Sequence, residues 1–311
     1  MPGTVFLVGA GPGNPDLLTV KAHRLLTHAR VVAHDELVSP EILALVPRDA
    51  EVFSVGRRAL PSPKNCQVQD AKIHPAVIAR ACEGRDVVRL KGGDPYVFGR
   101  GGEEAEALAE ARIPFEVVPG ISAALGAAAS TRLPLTYRSE STSVTFATAH
   151  AATKEGDSAL FSAIPASGTV VFYMGLARLE GTLAAVIARG RSPETPAAVI
   201  SHATLPTERV VQGTLSTLAP LVRAANLPAP ALLVIGEAVA HRIALPKPHA
   251  RALRSAMPSE SSLASTSHAD RAPRESSDPP AKRVRESREA SASSPEARPK
   301  TRSRRRTAAG E

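Results

Sequence analysis

Tryptophan is absent from this chain, and aromatic residues make up 3% of its 311 positions, so its 43% hydrophobic content must build an aliphatic core. Cysteine is nearly absent too. Cys66 and Cys82 form no CxxC pair and have no His pair nearby, which argues against a disulfide framework or a zinc site and fits a reducing compartment. No apolar run reaches the roughly 18 residues that cross a bilayer. The opening MPGTVFLVGAGPG has no basic leader region and runs directly into a strand and a glycine loop. A soluble cytoplasmic protein, with no metal and no membrane partner, is the expectation.

The net charge of +8 is unevenly spread, since residues 250–311 hold 14 Lys/Arg against 8 Asp/Glu while residues 1–249 hold 24 against 22. That terminal stretch is rich in Ser, Pro, Ala and Arg, with too little apolar surface to offset the entropy of ordering it. It is expected to be a disordered tail over 246–311. The cluster Arg304-Arg305-Arg306 offers a contact for nucleic acid or an acidic partner, or is a solvated extension with no partner.

The rest alternates strand and helix. Val5–Gly9, Val31–Asp35, Val52–Gly56, Asp86–Leu90 and Phe115–Val118 read as strands, several of them continuous apolar runs suited to a sheet buried on both faces. Pro15–Ala29 has helical spacing, with Asn14 as N-cap and Pro15 at the first position. Val144–Ala147, Val170–Tyr173, Ala198–Ser201, Arg209–Val211 and Leu232–Ile235 are strands of a second unit, in which Leu176–Arg189 is a helix closed by Gly190. The predicted fold class is α/β, with two α/β domains over 1–118 and 119–245 and a ligand cleft between them.

The most specific stretch is RLKGGDPYVFGRGGEE, residues 89–104. Gly92 and Gly93 follow a strand, where backbone can approach a ligand unhindered by a Cβ. Asp94 is placed to accept hydrogen bonds, and Pro95 stops the strand. An earlier loop, Gly9-Ala-Gly11-Pro-Gly13-Asn14, with Asp35 ending the next strand, nearly matches a dinucleotide fingerprint. Pro12 and Pro15 remove donors from the turn that would cradle a pyrophosphate, and Asn14 replaces the third glycine, so a nicotinamide cofactor is disfavoured.

Taken together, LVGAGPGNPDLLTVKA (7–22), HDELVSPEIL (34–43), the 89–104 string, FEVVPGISAALGAAA (115–129) and VVFYMGL (170–176) closely resemble the tetrapyrrole methylase family over residues 4–242. Their order is most similar to the uroporphyrinogen-III C-methyltransferase branch. The resemblance implies a homodimer, S-adenosyl-L-methionine as cofactor with S-adenosyl-L-homocysteine as its product, and a tetrapyrrole substrate methylated at C-2 and C-7. It places cofactor contacts on Pro12, Gly92, Gly93, Asp94, Val97, Ser122, Ala123, Met174 and Ala203. By residue type alone, Ser122 is as well suited to capping a helix and Met174 to filling a core. Asp35 matches the family's proton acceptor, although an Asp at a strand end also serves as a cap or turn residue. Arg57, Arg58, Arg100 and Arg138 are candidates for the substrate's carboxylates.

The chain departs from the family pattern mainly on the substrate side. Arg57 stands where the family has a lysine assigned as proton donor, and arginine is effectively never deprotonated. Asp70 and His74 replace a Gln and an Asn, His34 replaces a Tyr, Ala203 replaces a Gly, and Ala149-His150 replaces Gly-His. These changes leave open a methylase of the same fold acting on a later corrin precursor. RNA methylation is the weaker alternative, because the +2 body has no basic surplus for a nucleic-acid stripe.

Overall fold

The computed structural model describes residues 1–56, 72–149 and 163–245. The expected tail, Arg57, Arg58, Asp70 and His150 lie outside the described residues.

Strands β1 (Val5–Gly9), β2 (Val31–His34), β3 (Glu51–Ser54), β4 (Val87–Lys91) and β5 (Phe115–Val118) form one sheet in the order β3-β2-β4-β1-β5. Every neighbouring pair in it is parallel. Both faces are covered, which is why the strands read as apolar runs. Val5, Leu7, Val31, Ala33 and Val87 face a core completed by α3 (Pro75–Cys82) and α4 (Gly101–Glu110). The alternate residues Val8, Val32, Val88 and Leu90 face α1 (Val20–Thr27) and α2 (Pro40–Leu43).

The single helix expected over Pro15–Ala29 is instead two pieces. A 3₁₀ turn, Pro15–Leu17, is capped by Asn14, whose Oδ1 accepts from the Asp16 N–H at 3.0 Å. The chain then extends through Leu18, and Thr19 caps α1 by accepting from the Ala22 N–H at 3.2 Å. Two side-chain caps so close in sequence each start a helix of their own, and the extended residue between them breaks the run.

The second sheet contains β6 (Val144–Thr148), β7 (Thr169–Tyr173), β8 (Pro196–Ser201), β9 (Arg209–Thr214) and β10 (Ala231–Ile235), in the order β6-β7-β10-β8-β9. Only β6 and β7 pair in parallel, and the other three pairings are antiparallel. One face packs on α5 (Ala123–Thr131) through Ala124 and Ala127. The other packs on α6 (Leu179–Ala188) and α7 (Leu218–Ala225). The helix expected over Leu176–Arg189 opens as a 3₁₀ turn, Leu176–Arg178, and closes before Gly190, whose φ of +96° suits the residue expected there.

Candidate functional site

The order of the first sheet creates the site. Strands β2, β4, β1 and β5 are consecutive and parallel, so the loops leaving their C-terminal ends stand in a row, where open α/β sheets bind ligands. Those four loops carry the motif strings that lie far apart in sequence.

The loops touch backbone to backbone. Gly11 and Gly93 exchange N–H···O bonds of 3.1 and 2.8 Å, and the Ala10 N–H donates to the Lys91 carbonyl at 2.7 Å. A Cβ added to Gly120 would lie 2.3 Å from the Gly93 carbonyl oxygen and 2.8 Å from the Gly9 Cα. Asp94 fastens two loops together: Oδ1 accepts from the Tyr96 N–H at 2.9 Å, and Oδ2 from the Gly120 N–H at 3.0 Å. The Val97 N–H donates to the Asp94 carbonyl at 3.2 Å.

Residues of the second sheet close against this row. The Tyr173 hydroxyl bonds the Ser122 hydroxyl and accepts from the Ala124 N–H at 3.2 Å, while its ring lies 4.8 Å from that of Phe98. Ser122 occupies the N-cap position of α5, but its hydroxyl makes no capping bond because Tyr173 holds it. Met174 follows Tyr173 at a left-handed φ of 56° and is 53% exposed, so it is no core residue. The Asn14 N–H donates to Thr204 Oγ1 at 3.3 Å, and a Cβ on Gly126 would lie 2.5 Å from Pro12 Cγ. Ala203 sits between His202 and Thr204, which take positive φ while Ala203 does not, so no glycine is needed there.

Leu37, Tyr96, Phe98 and Met174 are exposed large hydrophobic residues on these same loops. A Cβ on Gly92 would meet Leu37 at 3.5 Å, so that glycine lies directly beside the apolar lip. Backbone polar groups bordered by exposed apolar side chains fit a ligand with a flat base and a charged amino-acid end, which is the make-up of S-adenosyl-L-methionine.

At one edge of the row lies an ionic cluster. Arg89 Nη2 donates to Asp35 Oδ1 at 2.5 Å and to Glu104 Oε1 at 2.8 Å, and Arg89 Nε reaches the same Glu104 oxygen at 3.2 Å. Lys91 Nζ is 3.0 Å from Glu104 Oε2 and 3.9 Å from Asp35 Oδ2. The side chains of Arg89, Lys91 and Glu104 are 5%, 2% and 7% exposed, against 30% for Asp35. Burial, and then the Arg89 charge, pushes the Lys91 ammonium below the usual lysine range against the pull of Glu104 and Asp35. Burial likewise lowers His74, assisted by Arg89. His74 caps α3, its Nδ1 accepting from the Ala76 N–H at 3.2 Å, the bond an asparagine would supply at that position.

Arg89, Lys91 and Glu104 were not among the residues the sequence pointed to. The available signal was two cations at alternating positions in an otherwise apolar strand, followed by an acid in the first turn of the next helix. Of the candidate arginines, Arg100 is exposed and pairs with Glu103 at 3.4 Å, and Arg138 is exposed. A cavity of ≈ 730 Å³ lined by Phe6, Arg24, His28 and Arg30 lies at the opposite ends of the strands and shares no residue with the loop row. Among the described residues, no helix is long and apolar enough to cross a membrane, and no group of His, Cys, Asp or Glu is placed to hold a metal ion.

The chain is similar to several known proteins. A uroporphyrin-III-C-methyltransferase from Thermus thermophilus is 43% identical, with a TM-score of 0.64 over 80% of this chain and 99% of that one. A Thermus thermophilus uroporphyrin-III C-methyl transferase complexed with S-adenyl homocysteine is 37% identical, with a TM-score of 0.64 over 77% of this chain and all of that one. A siroheme synthase from Hahella chejuensis is 46% identical over 77% of this chain and 50% of its own length. The chain spans about half the length of the siroheme synthases it matches. Residues 4–219 match the family model of the Tetrapyrrole (Corrin/Porphyrin) Methylases. The chain belongs to that family, the tetrapyrrole (corrin/porphyrin) methylases.

Proposed function

We propose that this chain methylates uroporphyrinogen III at C-2 and C-7, using S-adenosyl-L-methionine and releasing S-adenosyl-L-homocysteine, to give precorrin-2 for siroheme or cobalamin. The observation that carries this reading is the position of Asp35. Its partly exposed carboxylate stands on the buried cations Arg89 and Lys91, in the same row of strand ends as the glycine loops.

The bound cofactor supplies a methyl group on a sulfonium, already activated toward an electron-rich pyrrole carbon. A carbon–methyl bond forms, the sulfur–methyl bond breaks, and the tetrapyrrole must lose a proton. Asp35 accepts that proton. Gly92, Gly93 and Asp94 shape the backbone cradle for the cofactor, and Pro12, Val97, Ser122, Ala123, Met174 and Ala203 complete its walls. The chain's work is to align the two reactants, exclude water and manage one proton. Arg57 binds a propionate of the substrate. Arg57→Lys is therefore expected to leave turnover within about twofold and raise KM, because the lysine keeps the charge but loses the bidentate fork. A several-fold rise in turnover would instead assign proton donation to this position.

The resemblance and the sparse cysteines support a homodimeric, cytoplasmic enzyme with domains meeting at 118/119 and a tail beyond 245. The reaction is tested by anaerobic incubation of the purified chain with uroporphyrinogen III and S-adenosyl-L-methionine, followed by absorbance and mass. A gain of two methyl groups is expected. No gain, with cofactor binding confirmed by calorimetry, would overturn the substrate assignment and favour a later corrin precursor.

A further inference from the structure

Asp35 is held by groups that lie beneath it. Arg89 and Lys91 occupy alternate positions of β4 and point to one face, toward Glu104 in the first turn of α4. Both cations are shared: each approaches Asp35 on one side and Glu104 on the other. The cluster holds two cations and two carboxylates, so it is formally neutral, and only Asp35 opens to solvent. Glu104 is otherwise costly to bury, and neither the helix nor the cofactor loops need a carboxylate there. Its first-turn position is favourable to a negative charge.

We propose that Glu104 and Lys91 are positioning residues for Asp35, setting how strongly the buried cations hold its carboxylate and hence the pH range in which it accepts a proton. The inference rests on Asp35 being the proton acceptor of the proposed reaction. Among the described residues, the charged and titratable groups around it are Arg89 and Lys91 on β4, Glu104 on α4, His74 at the start of α3, and His34 and Glu36 on its own segment. His34 is bound through Nδ1 to the Asp35 carbonyl rather than to its carboxylate.

The signs follow from charge. Glu104→Gln removes a negative charge and leaves two cations to one carboxylate. The ionised Asp35 is then favoured, and the acid limb of activity moves to lower pH. Lys91→Met removes a cation and moves the limb to higher pH. Each displacement is expected to be about one pH unit. Glu104→Asp keeps the charge and is expected to keep the limb in place whatever activity it loses.

The experiment measures methyl transfer against pH for the three variants. In parallel, the Asp35 carboxyl is titrated by carbon NMR in protein labelled at aspartate, its signal assigned by its absence in Asp35→Asn. The titration needs no substrate, so it reads the coupling even where the substrate assignment fails. Opposite displacements in Glu104→Gln and Lys91→Met, by both readouts, are the expected result. Superimposed titrations with reduced activity, or displacements in the same direction, would overturn the proposal and leave the pair a structural brace. Should Glu104→Gln fail to fold, Lys91→Met against Glu104→Asp still decides between an upward displacement and none.

Discussion

Asp35→Asn is expected to lower methyl transfer by about 10²–10⁴-fold, the usual contribution of a positioned acid or base. Cofactor affinity is expected to stay within about twofold, because the glycine loops proposed to cradle it are held by their own backbone bonds and by Asp94 rather than by Asp35. The amide is nearly isosteric and can still accept from Arg89, so a folded variant is expected. It cannot take up a proton as a carboxylate does. Turnover by rapid-quench assay and affinity by calorimetry separate the two effects. Equal loss of both would make Asp35 a structural anchor for Arg89 and remove it from the chemistry.

Gly120→Ala is expected to damage the site from a position with no chemistry of its own. Its Cβ would lie 2.3 Å from the Gly93 carbonyl oxygen and 2.8 Å from the Gly9 Cα, both backbone atoms that cannot swing aside. Three loops would have to separate, at a cost of about 1–3 kcal/mol, the ordinary range for overpacking. The bond from the Gly120 N–H to Asp94 would be displaced with them. Cofactor affinity is expected to fall by at least about tenfold, since each such step corresponds to only 1.4 kcal/mol. Gly102→Ala is the control. No atom lies within 4 Å of a Cβ there, and the residue lies in the first turn of α4, so a gain of about 0.4–1 kcal/mol is expected. Thermal melts and calorimetry of the two variants decide it. Equal behaviour would mean the loop contact is slack.

Much of this arrangement was legible in the residues. The apolar runs at Val5–Gly9 and Val31–His34 are recognisable as doubly buried strands because covering both faces leaves little room for a polar alternation, and β4 departs from that pattern at Arg89 and Lys91. The break at Leu18 was less so, because helical spacing continues across it and only the second cap, Thr19, betrays it. Met174 illustrates the limit of residue type. Its strand neighbours suggest a core side chain, yet the left-handed turn after Tyr173 carries it into solvent. The same holds for Ser122, whose capping role is taken away by a hydroxyl on another sheet.

Which segments become strands and loops, and which loops could approach a ligand, was already written in the order of residues, because hydrophobic period, proline and glycine act locally. Its motif strings were enough to indicate the family and a cofactor. Adjacency came with the folded chain alone. The order β3-β2-β4-β1-β5 sets four distant loops side by side, and the period of two along β4 aims Arg89 and Lys91 at one helix. Charges couple through space at a few ångströms, irrespective of their separation along the chain, so the partnership of Asp35 with Glu104 exists only once the sheet is assembled.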